Sequence, residues 1–354
     1  MNHKRPWYED WKTQCETAEK YVHAINPVPR AIHEKKIEHE LDAFRDFTIF
    51  KVIFESNRLE NVGLSESDTK KLILSERSFK EPHKIIQILG EISEVFEEKI
   101  FQNNFRPGVI VFEKKKRAAL EVVRHYDAIF VALFYIYAAQ IAALDEKVKS
   151  IRISIPLNGK LDSGGIQFDY RKIFPNLGRT PLEFFNEELI RHLNFTMAHQ
   201  LMPKDAGIEA GFYRIDNRVT DFTIAFPSHE NVPAAMKEFV ARSNRILESK
   251  ENPILKAARI SYDFVAIHPF PDFNGRMSRL LMNMVLLREG LPFFAALRGS
   301  KTEKHKYITA LRHANRGKIG SYAGLIARTV NDGFQQLNRN LESAGLKPIR
   351  PEAS

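Results

Sequence analysis

The chain has 354 residues, 44% of them hydrophobic, which is enough apolar material for one large core or two. A formal charge of +9 invites a nucleic-acid reading, but the densest basic runs, Lys114 to Arg117 and Lys301 to Lys306, accompany no nucleic-acid-binding module and read as solvated faces. The single cysteine, Cys15, excludes an intrachain disulfide and a thiolate cluster and suits a reducing, cytoplasmic setting.

Residues 1 to 45 read as a polar helical segment, broken at Asn26-Pro27-Val28-Pro29 and without the apolar run of an export signal. Residues 46 to 190 form a helical region, of which 46 to 150 read as three or four helices interrupted by a turn at Arg106-Pro107-Gly108. Within them, Ala128 to Leu144 is interrupted only by Gln140 and predicts a buried central helix, because a membrane span needs about 20 apolar residues. Ile151 to Ile155 alternates, and Asn158-Gly159 and Ser163-Gly164-Gly165 are turn signals before Ile166 to Tyr170, so a small hairpin insertion is expected there.

Residues 191 to 332 form the next region. Glu187 to Leu201 and Val232 to Leu247 predict helices around an extended stretch from Gly211 to Phe226. Asn252 and Pro253 open an amphipathic run to Ile267, and Met277 to Glu289 forms another, closed by Gly290 and Pro292. Residues 333 to 354 read as a polar tail that frays. The pattern as a whole predicts an all-α helical bundle.

His268 to Arg279 reads His-Pro-Phe-Pro-Asp-Phe-Asn-Gly-Arg-Met-Ser-Arg, a loop plus the first turn of the following helix. Free N–H groups at a helix start attract anions, and Asn274 and Gly275 stand where those groups point. Arg276 and Arg279, three apart, emerge on one side and can fork onto phosphate oxygens. Asp272 supplies a hard oxygen suited to magnesium, and His268 is the natural general base. Any one of these residues alone has an ordinary structural explanation; their convergence in twelve positions points to phosphate chemistry.

The stretch resembles the Fic family signature, His-x-Phe-x-Asp/Glu-Gly-Asn-Gly-Arg-x-x-Arg, departing from it at Phe273, where the family has Gly or Ala. Ser56-Asn57-Arg58-Leu59-Glu60-Asn61 is similar to the family's inhibitory helix pattern. Gly211-Phe212-Tyr213-Arg214 with Val219 and Phe226-Pro227 resembles its target-binding β-hairpin flap, and Tyr307 with Ala314-Asn315-Arg316-Gly317 its nucleoside-contacting segment. The resemblance implies the helical Fic fold and transfer of AMP from ATP to a Ser, Thr or Tyr hydroxyl of a protein target, the chain itself included. It gives His268 the role of base, Asp272 that of magnesium ligand, and Asn274, Gly275 and Arg276 the α- and β-phosphates. Arg279 takes the γ-phosphate, Tyr307 and Asn315 face the nucleoside, and Ser56, Glu60 and Asn61 form the restraint, with Glu60 opposing Arg279. Gly211, Tyr213, Arg214 and Val219 would line the flap. Relatives often form homodimers, and in some the same glutamate serves AMP removal. Phe273 leaves two alternatives open: transfer of UMP, phosphocholine or phosphate, or a silent nucleotide- or protein-binding module. Neither a nucleic acid nor a membrane is expected as a partner.

Overall fold

The computed structural model describes residues 10–25, 35–79, 114–144, 151–153, 166–168, 184–202, 209–217, 219–220 and 224–350. The breaks expected at Asn26 to Pro29 and Arg106 to Gly108, and the turns at Asn158-Gly159 and Ser163 to Gly165, lie outside these residues. The chain divides into two compact units. One comprises 1–62, 216–269 and 274–354, and the other 63–215 together with the short stretch 270–273.

In the first unit, α1 (Trp11–Ile25) and α2 (Lys35–Leu59) precede the small pairing of β3 (Val219–Thr220) with β4 (Ile224–Ala225). A short 3-10 turn, His229–Asn231, leads into α6 (Val232–Glu248), followed by α7 (Pro253–Ile267), α8 (Asn274–Arg288), α9 (Lys301–Asn315) and α10 (Gly320–Ser343). In the second unit, α3 (Glu66–Phe79), α4 (Lys114–Leu144) and α5 (Glu187–Ala198) accompany β1 (Ile151–Ile153), paired antiparallel with β2 (Ile166–Phe168).

The starts of these helices are written in capping chemistry. Asn252 accepts a hydrogen bond from the Ile254 amide at 2.9 Å ahead of Pro253, which suits the first helical position because it lacks an N–H. Ser300 accepts from the Glu303 amide, with an acid three residues on, and Asn186 caps α5 through the Leu189 amide at 2.7 Å. The α7/α8 pair then buries Ala257, Ile260 and Phe264 from one helix and Met277, Leu280, Leu281 and Met284 from the other. Burial of large apolar side chains is worth about 1.5–3 kcal/mol each, so this pair forms a rigid base for the loop between them.

Ala128 to Leu144 lies in α4, where Ala128, Ile129, Val131, Ala132, Tyr135 and Ile136 are buried. No helix among the described residues is long and apolar enough to cross a membrane. The Tyr135 hydroxyl donates to the Phe184 carbonyl at 2.7 Å, linking α4 to the segment that leads into α5.

Several expectations from sequence need correction. The tail boundary expected at 332/333 lies inside α10, which continues to Ser343. The tail does not fray at Gly333. Its missing side chain makes room for the Phe293 ring, which an added Cβ would meet at 2.4 Å, and Phe334, Leu337 and Leu341 beyond it are buried. A hairpin flap across Gly211 to Phe226 is also not formed: Gly211 to Asn217 contains no strand, and pairing is limited to two residues on each side. Asp216 and Asn217 break the alternation that a longer ladder requires.

The N-terminal helix packs within the first unit. Tyr21 stacks on Phe334 at 4.7 Å, Asn331 donates to Gln14, and the Trp11 indole lies across Gly320 and Gly324. A methyl on Gly320 would approach the indole to 2.4 Å. Gly320→Ala is therefore expected to destabilise by about 1–3 kcal/mol in denaturant melts despite its better helix propensity. In a Trp11→Ala background the same change should cost far less, and additive losses would show that the contact is not the cause.

Candidate functional site

The loop after α7 begins with a left-handed residue. His268 caps the helix at φ 52°, its amide donating to the Phe264 carbonyl at 3.2 Å. That conformation ends α7, and histidine tolerates it better than most side chains do. The Phe226 ring, just past β4, stacks on the imidazole with centroids 4.3 Å apart and planes 21° from parallel. The polar spacing of the loop did not show that Phe226 stacks on the His268 ring.

The helix that follows begins at Asn274 rather than Met277, so Asn274, Gly275 and Arg276 form its first turn. Asn274, Arg276 and Arg279 are all buried. Arg279 donates from Nε to Ser56 Oγ at 2.8 Å, and from Nη2 both to the Ser56 carbonyl at 3.1 Å and to Glu60 Oε1 at 2.6 Å. Its Cζ also lies 5.7 Å from the centre of the Tyr307 ring. The carboxylate of Glu60 occupies the space that Gly275 leaves empty, since a Cβ there would come within 2.4 Å of Oε1. The anion position at the start of α8 thus holds an internal carboxylate.

The spelling of the Ser56 to Asn61 motif follows from this contact. Ser56 and Glu60 are four apart and share one helix face, which puts both on one guanidinium. Asn61 has φ 57°, its amide donates to the Arg58 carbonyl, and the Val62 amide donates to the Asn57 carbonyl. This pattern stops a helix with a left-handed residue, a place for Gly or Asn. Arg279 takes the Ser56 carbonyl, one of those a helix end leaves without an intrahelical partner.

Three further contacts hold α2 in register on the segment after α8. Arg45 Nε donates to the Pro292 carbonyl at 3.3 Å, the Phe294 amide to Thr48 Oγ1 at 3.1 Å, and the Gly299 amide to the Glu55 carboxylate at 2.6 Å. Asn283 of α8 fixes that segment in turn, exchanging hydrogen bonds with both backbone groups of Ala295.

The second unit carries the remaining loop residues. Asp272 accepts from the amide of Phe273 at 2.6 Å, while its carbonyl receives Asn194 Nδ2 at 3.5 Å. Asn194, wholly buried, also accepts from the Gly211 amide at 2.9 Å, and Arg191 donates to the Gly211 carbonyl at 2.9 Å. The Arg191 guanidinium lies over the rings of Phe212 and Tyr213, and Tyr213 packs against Phe270. Burial, reinforced by the neighbouring Glu187 carboxylate, pushes the Tyr213 hydroxyl up and keeps it neutral. Gly211 takes φ 81°, and Arg214 is fully buried. The residues expected to open the flap are therefore packed inward, and Asn194 and Arg191, which organise them, carried no motif of their own.

Among the described residues no cluster of three or more His, Cys, Asp or Glu side chains forms a metal cage. The lone Asp272 still fits magnesium, which takes one or two carboxylates and completes its shell with phosphates and water. The Phe273 amide orients that carboxylate from one side. Tyr307 is buried against Arg279, whereas Asn315, at the end of α9, is exposed and accepts from the Tyr262 hydroxyl at 3.1 Å.

Residues 184–286 match the profile of the Fic/DOC family. Those residues are similar to the Fic/DOC family. Protein adenylyltransferase Fic of Nematostella vectensis is 38% identical over 152 residues, 41% of this chain and 32% of the relative. The Drosophila willistoni protein of that name is 33% identical over 152 residues, 41% of this chain and 30% of the relative. The aligned stretch spans about a third of those curated relatives. A Fic domain containing signaling protein from Bacteroides thetaiotaomicron superposes with a TM-score of 0.56 at 18% identity, covering 96% of this chain and 100% of that one. Fic-1 from C. elegans gives 0.58 at 17%, over 94% of this chain and 73% of that one. At such identities the likeness is one of fold, and the fold is helical, as the sequence implied.

Phe273 adopts φ 67° with its side chain buried, so the position where the family has Gly does require a left-handed backbone. That conformation costs a non-glycine residue about 1–2 kcal/mol, while a buried phenylalanine contributes about 3–5 kcal/mol. Phe273→Gly is accordingly expected to destabilise by about 2 kcal/mol net in a denaturant titration, and a stabilised variant would mean the ring contributes nothing.

The Glu60 pair makes a second prediction. Burial alone would raise the Glu60 carboxyl, but Arg279 foremost, then Arg276 and Lys304, hold it below the ordinary carboxylate range. A group depressed on folding stabilises at neutral pH, and that contribution is lost as pH falls through the lowered value. The melting-temperature advantage of the native chain over Glu60→Gln should be present at pH 7 and vanish on acidification below the usual carboxylate range. A pH-independent difference would argue against the ion pair.

Proposed function

We propose that the chain is a protein adenylyltransferase restrained by its own Glu60. The observation that carries this reading is the Glu60 carboxylate seated on Arg279 at 2.6 Å, in the gap left by Gly275 and with 37% of its side-chain surface open to solvent. An internal anion reached from solvent and bound at a helix start marks where an external phosphate would compete. The name protein adenylyltransferase borne by the relatives supplies the group transferred.

In this reaction His268 removes the proton from a Ser, Thr or Tyr hydroxyl of the target. The oxygen forms a bond to the α-phosphorus of ATP, the bond from that phosphorus to the bridging oxygen of the β-phosphate breaks, and pyrophosphate leaves with the electron pair. Phe226 keeps the imidazole from turning by stacking on one of its faces. Asn274, the amides around Gly275, and Arg276 bind the α- and β-phosphates, where charge builds as the bond breaks. Arg279 holds the γ-phosphate once Glu60 withdraws. Asp272 would hold magnesium, which when bound neutralises phosphate charge. The extended backbone around Val219 and Ile224 would receive the target as an added strand.

A charge-assisted hydrogen bond is worth roughly 1.5–3 kcal/mol, so removing the restraint should raise transfer about 10- to 100-fold. Glu60→Gly is expected to label itself from α-labelled ATP at such an increased rate and not from γ-labelled ATP, and His268→Ala in that background should abolish labelling. Label from the γ-position would identify a kinase instead. Absence of label from either, in a variant that binds ATP, would favour the silent module or another donor.

A further inference from the structure

The basic run Lys301 to Lys306 opens α9, and its members do not share one environment. Lys301 and His305 are exposed, as a solvated face requires, and Lys306 gives its ammonium to Glu303 at 2.6 Å. Lys304 is half-buried, and among the described residues no carboxylate stands within salt-bridge distance of it. A lysine drawn partly out of water with no carboxylate against it is poised for another anion.

Two close approaches bracket Lys304. Five residues before it, Gly299 lies against the last turn of α2, where an added Cβ would come within 2.8 Å of Arg58 Cβ and 2.9 Å of the Leu59 nitrogen. Leu59 directly precedes Glu60. Three residues after it, Tyr307 meets Arg279, with its hydroxyl 3.4 Å from Nη1. The helix start between these points is fixed, since the Ser300 side chain accepts from the Glu303 amide and its carbonyl from the Lys304 amide at 2.7 Å. Residues three apart lie on one side of a helix, so Lys304 stands beside Tyr307 on the side that meets Arg279. The Glu60 carboxyl, which burial alone would raise, is kept ionised by Arg279, then Arg276, then Lys304.

A carboxylate brings one negative charge to this cluster, whereas a terminal phosphate brings about two. We propose that Lys304 is a second cation for the terminal phosphate of a nucleoside triphosphate, reaching it from α9 while Arg279 reaches it from α8, and that it selects the triphosphate over the diphosphate. This rests on the reading that Arg279 receives the γ-phosphate once Glu60 withdraws. The two cations divide the work. Arg279, held by Ser56 and Tyr307, offers hydrogen bonds in a fixed direction, and Lys304, a compact charge on a flexible stem, adds attraction that tolerates movement of the phosphate. In the restrained chain the Lys304 charge favours Glu60 as well, so its loss weakens both anions that compete for Arg279, and the two effects oppose each other. Only where Glu60 is absent does the loss fall on the phosphate alone.

Lys304→Met and Lys304→Arg, each combined with Glu60→Gly, test this by calorimetric titration with ATP and with ADP in the presence of magnesium. Methionine keeps an unbranched stem without the charge, and a thermal melt records that the fold is retained; if Lys304→Met does not fold, Lys304→Gln is read in its place. The worth of one partly exposed charge corresponds to about fivefold weaker ATP binding in Lys304→Met, with ADP weakened less than about twofold. Lys304→Arg should keep most of the ATP affinity, because the charge remains. An unaltered ATP affinity in Lys304→Met would overturn the assignment, as would an equal loss for ADP or an equal loss in Lys304→Arg. Failure of Glu60→Gly itself to bind ATP would instead overturn the proposed function beneath it, and that result is seen before either lysine variant is made.

Discussion

A buried guanidinium is the constraint around which the first unit is built. Arg279 cannot shed its charge, and a buried cation without compensation would cost several kcal/mol, so each face of it must meet an acceptor or a ring. Ser56 supplies a hydroxyl and a carbonyl, Glu60 a carboxylate, and Tyr307 a hydroxyl and a ring face. Of these partners only Glu60 is a charged group open to solvent. Arg279 thus ties the end of α2 to α8 and α9.

That arrangement places demands far from the site. The end of α2 must be held to within a fraction of an ångström, or Ser56 and Glu60 would miss the guanidinium together. The contacts of Arg45, Thr48 and Glu55 with the segment after α8 meet this demand at successive turns of the helix. Gly299 permits the approach, since a side chain there would strike the Glu55 carbonyl at 2.7 Å. The end of α2 is accordingly part of the core and not a strap laid over it.

The second unit solves a different problem, holding Asp272 and a strained Phe273 in a fixed conformation. Asn194 spends one end of its amide on the Asp272 carbonyl and the other on the Gly211 amide, so the backbone beside the carboxylate and the beginning of the former flap segment share one anchor. Arg191, closed in by two rings and a carbonyl, stiffens the same turn. Strain at Phe273 persists because its surroundings over-determine it, as is usual where a backbone must present groups to a ligand.

How much of this the sequence determined depends on the range of each interaction. Asn252-Pro253 and Ser300 with Glu303 mark helix starts through local hydrogen bonds, so those boundaries were legible, as was the buried helix through Ala128. The loop from His268 to Arg279 was legible too, because its groups are contiguous and its chemistry depends on short spacings. Even Glu60 could be named, since a four-residue interval and a helix-stopping Asn61 are local facts. Gly333 was misread because its reason, the Phe293 ring, lies 40 positions away. Only tertiary structure decided that Tyr307 turns inward, that Arg214 is buried, and that Phe226 stacks on His268. Those choices are made by which helices pack together, and a single residue type at a single position carries no trace of the partner it will meet.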